Sequence, residues 1–344
     1  MSGPAPTLAH LARLSSPDGL FEHAHHSSPR TDIGYCTDDA GRLLALCVDL
    51  CAEKDAPQLA RVALDFLRRA YRGDGQFHLR QRANGRWTTD PSSDDANARA
   101  LSGLAAAAAD APWPDVRRDA ADLFRRAATY RSSHPRATAY AVIGAARWLD
   151  DDTARRLVLD AAGDVARSGP DPAWPWPHAR LTYANALLPH AALVVAAFLQ
   201  DEERLADALS LLAWLVERET LEEHFSFTPI DGRDATSLAP AFDQQPVEAW
   251  TMVEACAYAY DLTGDPTWAD AARRAGEWFT GRNDVGVRVF DPQTGGGYDG
   301  LGPEGPNLNQ GAESTIAFNA TMMRLQSLTS REPLSHAARK ASSR

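Results

Sequence analysis

The chain has 344 residues, of which 44% are hydrophobic and 24% charged, and its formal net charge is -11. That balance belongs to a soluble globular protein with a large core, and an acidic chain without a basic stripe excludes nucleic acid and anionic membranes as partners. Four cysteines without C-x-x-C spacing argue for free thiols; with no apolar run of signal-peptide or membrane-spanning length, a cytoplasmic protein is expected.

From the N-terminus, PTLAHLARL (6–14) reads as a short amphipathic helix. FEHAHH (21–26) gathers histidines but lacks a second ligand cluster, so neither a metal nor any other cofactor is expected. TDDAGRLLALCVDL (37–50) is a helix that is apolar nearly all round, with polar residues crowded into its first turn, whereas APQLARVALDFLRRAYR (56–72) keeps one wet face. The two kinds then alternate. Apolar helices are expected over 93–109, 137–149, 181–199, 245–262 and 309–325, and amphipathic ones over 113–131, 151–168, 201–219 and 265–282.

A helix buried all round belongs inside, and one with a wet face belongs outside. Six inner helices, five outer ones and the short N-terminal segment make a closed ring of helical hairpins the economical architecture: all-α, an (α/α)6 toroid. It is expected as one domain over 1–330, followed by a polar tail at 331–344 that frays. If every inner helix is the second member of its pair, all inner N-termini point to one end. The connections at that end are long and carry short strand-like pieces: 75–90 with the Asn84-Gly85 turn signal, 222–237 and 285–310. Loops of that length in a compact domain more often wall a site than space two helices.

The inner first turns have a structural and a functional account. Asp38-Asp39 and Asp94-Asp95 suit the positive end of a helix, yet Thr37 and Ser93 precede them and already supply caps. Gln245-Pro246-Val247-Glu248 resembles a capping box, and Gln310-Gly311-Ala312-Glu313 repeats its spacing. Glutamine is a poor cap, and a three-residue step puts Gln and Glu on one helical side, where both reach a common cavity. Tyr35, Trp174, Trp176, Tyr183, Trp250 and Tyr298 fall at the same end. Each alone suits packing, but two tryptophans between prolines in DPAWPWPHARLTYAN (171–185) present flat apolar faces of the kind that stack on a sugar ring. Asn185, Asn309, Gln310 and His178 offer groups suited to hydroxyls, and Arg42, Asp94, Asp95, Gln245 and Asp299 join them as binding candidates. No P-loop, dinucleotide fingerprint or nucleophile elbow occurs.

The segments GYCTDDAGR, SSDDANARAL, WPWPHARLTYANALLP, FDQQPVEAWTMVEA, GRNDVGVRVFDPQTGGGYDGL and NLNQGAEST, in that order, resemble the six-hairpin toroids of carbohydrate-processing enzymes. They are similar in particular to bacterial helical proteins found beside or fused to glycosyltransferases and mannoside-processing enzymes. The likeness runs from about Gly34 to Leu325. It implies a carbohydrate-active enzyme, an oligosaccharide or glycoside substrate, and functional association with a glycosyltransferase. The chain departs from the pattern in the fourth segment, where His178, Ala179 and Ala184 stand in place of acids.

Glycoside hydrolysis needs one protonated carboxyl near the leaving oxygen and one ionised carboxylate. Asp38, Asp39, Glu248 and Glu313 are the candidates, with Glu313 expected as acid through burial and Asp38 or Asp39 as base. Two alternatives stand beside this. A non-catalytic glycan-binding module would use the same pocket without turnover, and an epimerase or isomerase would need a histidine pair across the ring, for which His178 and His190 are poorly spaced.

Overall fold

A computed structural model describes residues 3–89, 92–129 and 131–330; the tail at 331–344 lies outside the described residues. Twelve α-helices run in chain order among them: α1 (Ala9–Leu14), α2 (Thr37–Asp49), α3 (Ala56–Ala70), α4 (Asp94–Asp110), α5 (Pro114–Ala127), α6 (Pro135–Ala145), α7 (Asp152–Ala161), α8 (Leu187–Leu199), α9 (Glu202–Arg218), α10 (Pro246–Thr263), α11 (Pro266–Glu277) and α12 (Ala312–Ser330).

The even-numbered helices form the inner ring, each packing on the next, and α12 closes the circle on α2. This is the (α/α)6 toroid. Its outer layer is α3, α5, α7, α9 and α11, with the six-residue α1 against α12 in the sixth place. The pairing differs from expectation in one respect: α2, α4, α6, α8 and α10 each pack most closely on the outer helix that follows rather than the one that precedes. Chain length explains it. An inner helix is joined to the next outer one by a short connection, whereas the return to the next inner helix runs, except between α5 and α6, through a longer loop, 219–245 and 281–311 being two examples. All the long loops therefore lie at the inner N-terminal end.

Small residues let the inner helices meet backbone to backbone. A Cβ added to Gly41 or Gly103 would sit closer than 3.0 Å to the carbonyl of Arg99 or of Gly41 respectively, and one on Gly144 would strike Ser102. Alanines carry the rest of α4, where Ala96, Ala100, Ala105 and Ala107 are fully buried. Outer helices contribute the bulk: Phe66 and Leu67 of α3, Leu123 and Phe124 of α5, Leu211 and Leu212 of α9.

The loops carry five two-stranded antiparallel pairs: β1 (Ser15–Ser16) with β2 (Gly19–Leu20), β3 (Ala24–His25) with β4 (Ser28–Pro29), β5 (Tyr35–Cys36) with β6 (Arg80–Gln81), β7 (Thr220–Leu221) with β8 (His224–Phe225), and β9 (Leu301–Gly302) with β10 (Gly305–Pro306). The Asn84-Gly85 turn forms: Arg82 N–H donates to Arg86 O at 2.9 Å, and Gly85 has a positive φ of 81°. The β5–β6 pairing ties this loop to the chain entering α2.

Candidate active site

Capping explains less of the inner first turns than their composition suggests. Ser93 does cap α4, its hydroxyl accepting from Ala96 N–H at 3.4 Å. Thr37 does not cap α2; it is the first helical residue, and its hydroxyl donates to His78 O at 2.5 Å. Gln245 occupies the cap position of α10 but makes no side-chain cap bond, so the capping-box expectation for Gln245 and Glu248 is not met.

Gln245 instead lines a cavity of about 250 Å³ together with Asp38, Asp39, Arg42, Asp299 and Glu313. Six candidates, four on the inner helices α2 and α12 and two in the loops at Gln245 and Asp299, thus meet in one hollow at the inner N-terminal end. The remaining lining, Glu22, His23, Gly311 and Ser314, was not singled out from sequence. Glu22 was hidden inside a histidine-rich stretch, and no spacing ties that stretch to α2.

The cavity floor is an ion-paired layer. Arg42 lies one turn beyond Asp38 and Asp39 on α2, so its guanidinium folds back to Asp39 at 2.6 Å and Asp38 at 3.7 Å, and its other amino group pairs with Glu313. Arg99 of α4 reaches across to Asp38 at 3.2 Å and stacks 4.6 Å over the Tyr140 ring. Both arginines are at least 93% buried as side chains, and such charges persist only when paired. Glu22 is clamped by Arg80 through two bonds of 2.8 and 2.7 Å.

Three cavity carboxyls are shifted. Burial alone would raise Asp38, but Arg42 and Arg99 together carry it below the usual carboxylate range. Burial pushes Asp39 well up, with the negative charges of Asp38, Glu22 and Glu313 adding to it against the pull of Arg42. Asp299 is also raised, first by burial, although Gly311 N–H donates to it at 2.8 Å. No arginine is ion-paired with Asp299 among the described residues. Glu313 departs from expectation: its side chain is 40% exposed and ion-paired, so burial is no reason to make it the acid.

The fourth catalytic candidate, Glu248, lies elsewhere. It is 2% exposed and accepts from Ala184 N–H at 2.5 Å, Asn185 N–H at 3.2 Å and the Asn185 side-chain amide at 3.4 Å. It therefore anchors the entry to α8, where Ala184 holds the left-handed conformation at φ 46°. Burial, then the nearby Glu219 charge, raises its pKa to about 8 against those bonds. Asn185 belongs to this anchor too, its side-chain oxygen accepting from Thr182 N–H at 3.0 Å.

Other binding candidates do not line this cavity. Tyr35 is 3% exposed, packs on Phe21 and Phe66, and shares a 2.8 Å bond with the Ser16 hydroxyl. Trp176 is 2% exposed and stacks on Trp214, which Trp174 meets edge-on; Trp174 also donates to His178 O at 2.8 Å. The two tryptophans thus fill the join between the 170s loop and α9 instead of offering a sugar platform. Gln310 is held by Thr294 at 2.6 Å and Asp291 at 3.1 Å, and Asn309 accepts from His26 N–H at 2.9 Å. Tyr298 is half-buried and His178 exposed, neither lines the cavity, and partial desolvation followed by the Arg136 charge lowers His178. Trp250 faces a different, inner cavity. Asp95 bonds the Tyr183 hydroxyl, Arg136 lies 5.0 Å over the Tyr183 ring, and Asp94 accepts from the Ser132 hydroxyl at 2.7 Å.

Glu22, Cys36 and Asp39 place ligand-type atoms within 4.8 Å of one another. Each already has a partner: Arg80 holds Glu22, Arg42 holds Asp39, and the Cys36 thiol donates to Asp38. Burial raises that thiol well above its usual pKa, so the group as it stands suits a proton better than a metal.

No protein-family model matches the chain, and no curated protein matches it in sequence. Its fold is shared with solved carbohydrate-processing enzymes. A sugar epimerase from a ruminal bacterium is 13% identical, with a TM-score of 0.70 over 94% of this chain and 96% of that one. A D-mannose isomerase is 11% identical, with a TM-score of 0.66 over 93% and 95%. A glycoside hydrolase family 9 endoglucanase is 14% identical, with a TM-score of 0.56 over 94% and 77%. Among the described residues, no helix is long and apolar enough to cross a membrane.

Proposed function

We propose that the protein is a carbohydrate-active enzyme that hydrolyses a glycoside in the cavity between α2, α10 and α12, with Asp299 as general acid and Glu313 as base. The observation carrying this reading is the unequal neutralisation of the cavity acids. Glu22, Asp38, Asp39 and Glu313 each face a guanidinium, whereas Asp299 has none and is raised by burial. Carboxyls whose surroundings push their proton affinities apart are the mark of an acid and base pair. Glu313 has the more accessible carboxylate, one oxygen held by Arg42 and the side chain 40% exposed, which leaves the other oxygen to take a proton from water. This differs from the roles expected from sequence, where Glu313 was the acid, Asp38 or Asp39 the base, and Asp299 a binding residue. Asp38 and Asp39 then serve through Arg42, holding it against Glu313.

A cavity of about 250 Å³ suits one sugar ring rather than an extended chain. Released reducing ends from a panel of mannose- and glucose-based oligosaccharides test the reading. Asp299→Asn is expected to abolish release while leaving binding within a few-fold; release undiminished in that variant refutes the assignment.

A second reading, sugar epimerisation or isomerisation, is supported by neighbours of matching length: the sugar epimerase is covered over 96% of its chain and the endoglucanase over 77%. Against it, His23 is the one histidine lining the cavity among the described residues. Proton exchange into the sugar from heavy water, followed by NMR, separates this chemistry from hydrolysis. Binding without release or exchange across the panel would leave the glycan-binding module, and glycosyltransferase association is tested by co-purification.

A further inference from the structure

Beneath the ion-paired floor lies a second and larger space. It occupies the bore of the inner ring, about 300 Å³, from Arg42 and Arg99 down to Asp49 and Arg147 near the inner C-terminal ends. Its wall is mostly apolar, with Leu46, Ile143, Leu187, Val194 and Ile316 contributed by four of the six inner helices. Asp49 and Arg147 keep 26% and 32% of their side-chain surface exposed, so the bore meets solvent at the end opposite the candidate active site.

One polar side chain without a partner lines this space. The His190 ring is 7% exposed, rests against Tyr258 at 5.1 Å, and has no side-chain hydrogen bond among the described residues. A buried polar group left without a partner is destabilising, and an occupant of the bore that bonds it removes that cost.

Charge decides the kind of occupant. Three carboxylates, Asp38, Asp39 and Glu313, already face the two guanidiniums at the upper end, and Arg147 is bonded to Asp49 at 2.7 Å and Asp110 at 2.9 Å at the lower. Neither end has positive charge to spare for an anion. Burial, with the charge of Arg324 adding to it, lowers His190 to about 3, which leaves a neutral ring.

We propose that the bore is a second ligand site, separate from the acidic cavity, for a neutral, mostly apolar molecule of about two rings carrying a hydroxyl or carbonyl oxygen. The oxygen pairs with the neutral His190 ring, and the rings lie along the aliphatic wall. The size follows from volume, since a dry apolar cavity of about 150 Å³ accommodates benzene.

The test is titration of the full-length chain with 2-naphthol, followed by its fluorescence and by calorimetry, beside naphthalene-2-carboxylate of the same shape. One saturable site is expected, at least tenfold weaker for the carboxylate and at least tenfold weaker in Ala45→Leu and Ala320→Leu, which fill the bore. Absence of saturable binding, equal or tighter binding of the carboxylate, or undiminished binding in folded filled variants overturns the proposal. Should both variants fail to fold, wild-type crystals soaked with 6-bromo-2-naphthol decide: bromine anomalous signal in the bore supports the site, and signal elsewhere or none overturns it.

Discussion

Glu248→Gln separates a buried structural carboxyl from a catalytic one, and its effect depends on pH. Glu248 is raised from 4.5 to about 8 because burial and the Glu219 charge disfavour its ionised form more than the Ala184 and Asn185 N–H groups favour it. A carboxyl with a higher pKa folded than unfolded binds its proton more tightly in the native state, so it makes stability fall as pH rises from about 4.5 through about 8. At about 1.4 kcal/mol per pH unit, that interval is worth on the order of 5 kcal/mol for a group this buried. Glutamine mimics the protonated form and does not titrate. Urea denaturation of wild type and variant should therefore give similar stabilities near pH 5, with the variant gaining by several kcal/mol relative to wild type near pH 8.5. A difference that stays flat, or that moves against the variant at high pH, refutes the claim that burial outweighs the hydrogen bonds at this site.

Arg42→Met should destabilise the protein by about 3–5 kcal/mol at pH 7, because Asp39 and Glu313 lose their shared counter-charge in a buried layer. Part of that loss should return on acidification as Asp39 takes up a proton, which the same denaturation series reads. Gly103→Ala places a methyl against the Gly41 carbonyl and should cost about 1–3 kcal/mol, seen as a lowered Tm without loss of helical circular dichroism. Trp176→Ala should cost about 3–5 kcal/mol of stability, since the ring is packed on Trp214, while sugar affinity stays within twofold. A large loss of affinity in a variant of unchanged stability would restore the tryptophan to the binding surface.

The toroid was legible because its signal is periodic and redundant. Whether a helix is apolar all round or on one face follows from its own sequence, and the alternation of the two kinds leaves few closed arrangements. The inner first turns were legible in the same way, and Asp38, Asp39, Arg42, Gln245, Asp299 and Glu313 do share a cavity. Partners were not. Two first-turn glutamates of identical spacing diverge because Glu248 meets the backbone of the loop entering α8, whereas Glu313 meets Arg42 from another helix. Proline-flanked tryptophans and a buried tyrosine carry no mark in sequence of the surface they will rest against.

Sequence by itself therefore determined what each helix needs, a dry face or a wet one, and which end of it carries charge. Only the tertiary structure decided which acids are neutralised, since ion pairing acts over a few ångströms between residues as distant in the chain as Arg42 and Glu313. The bore belongs to the same class. It is the space six small-faced helices leave when they close, a property of the ring that no single segment encodes.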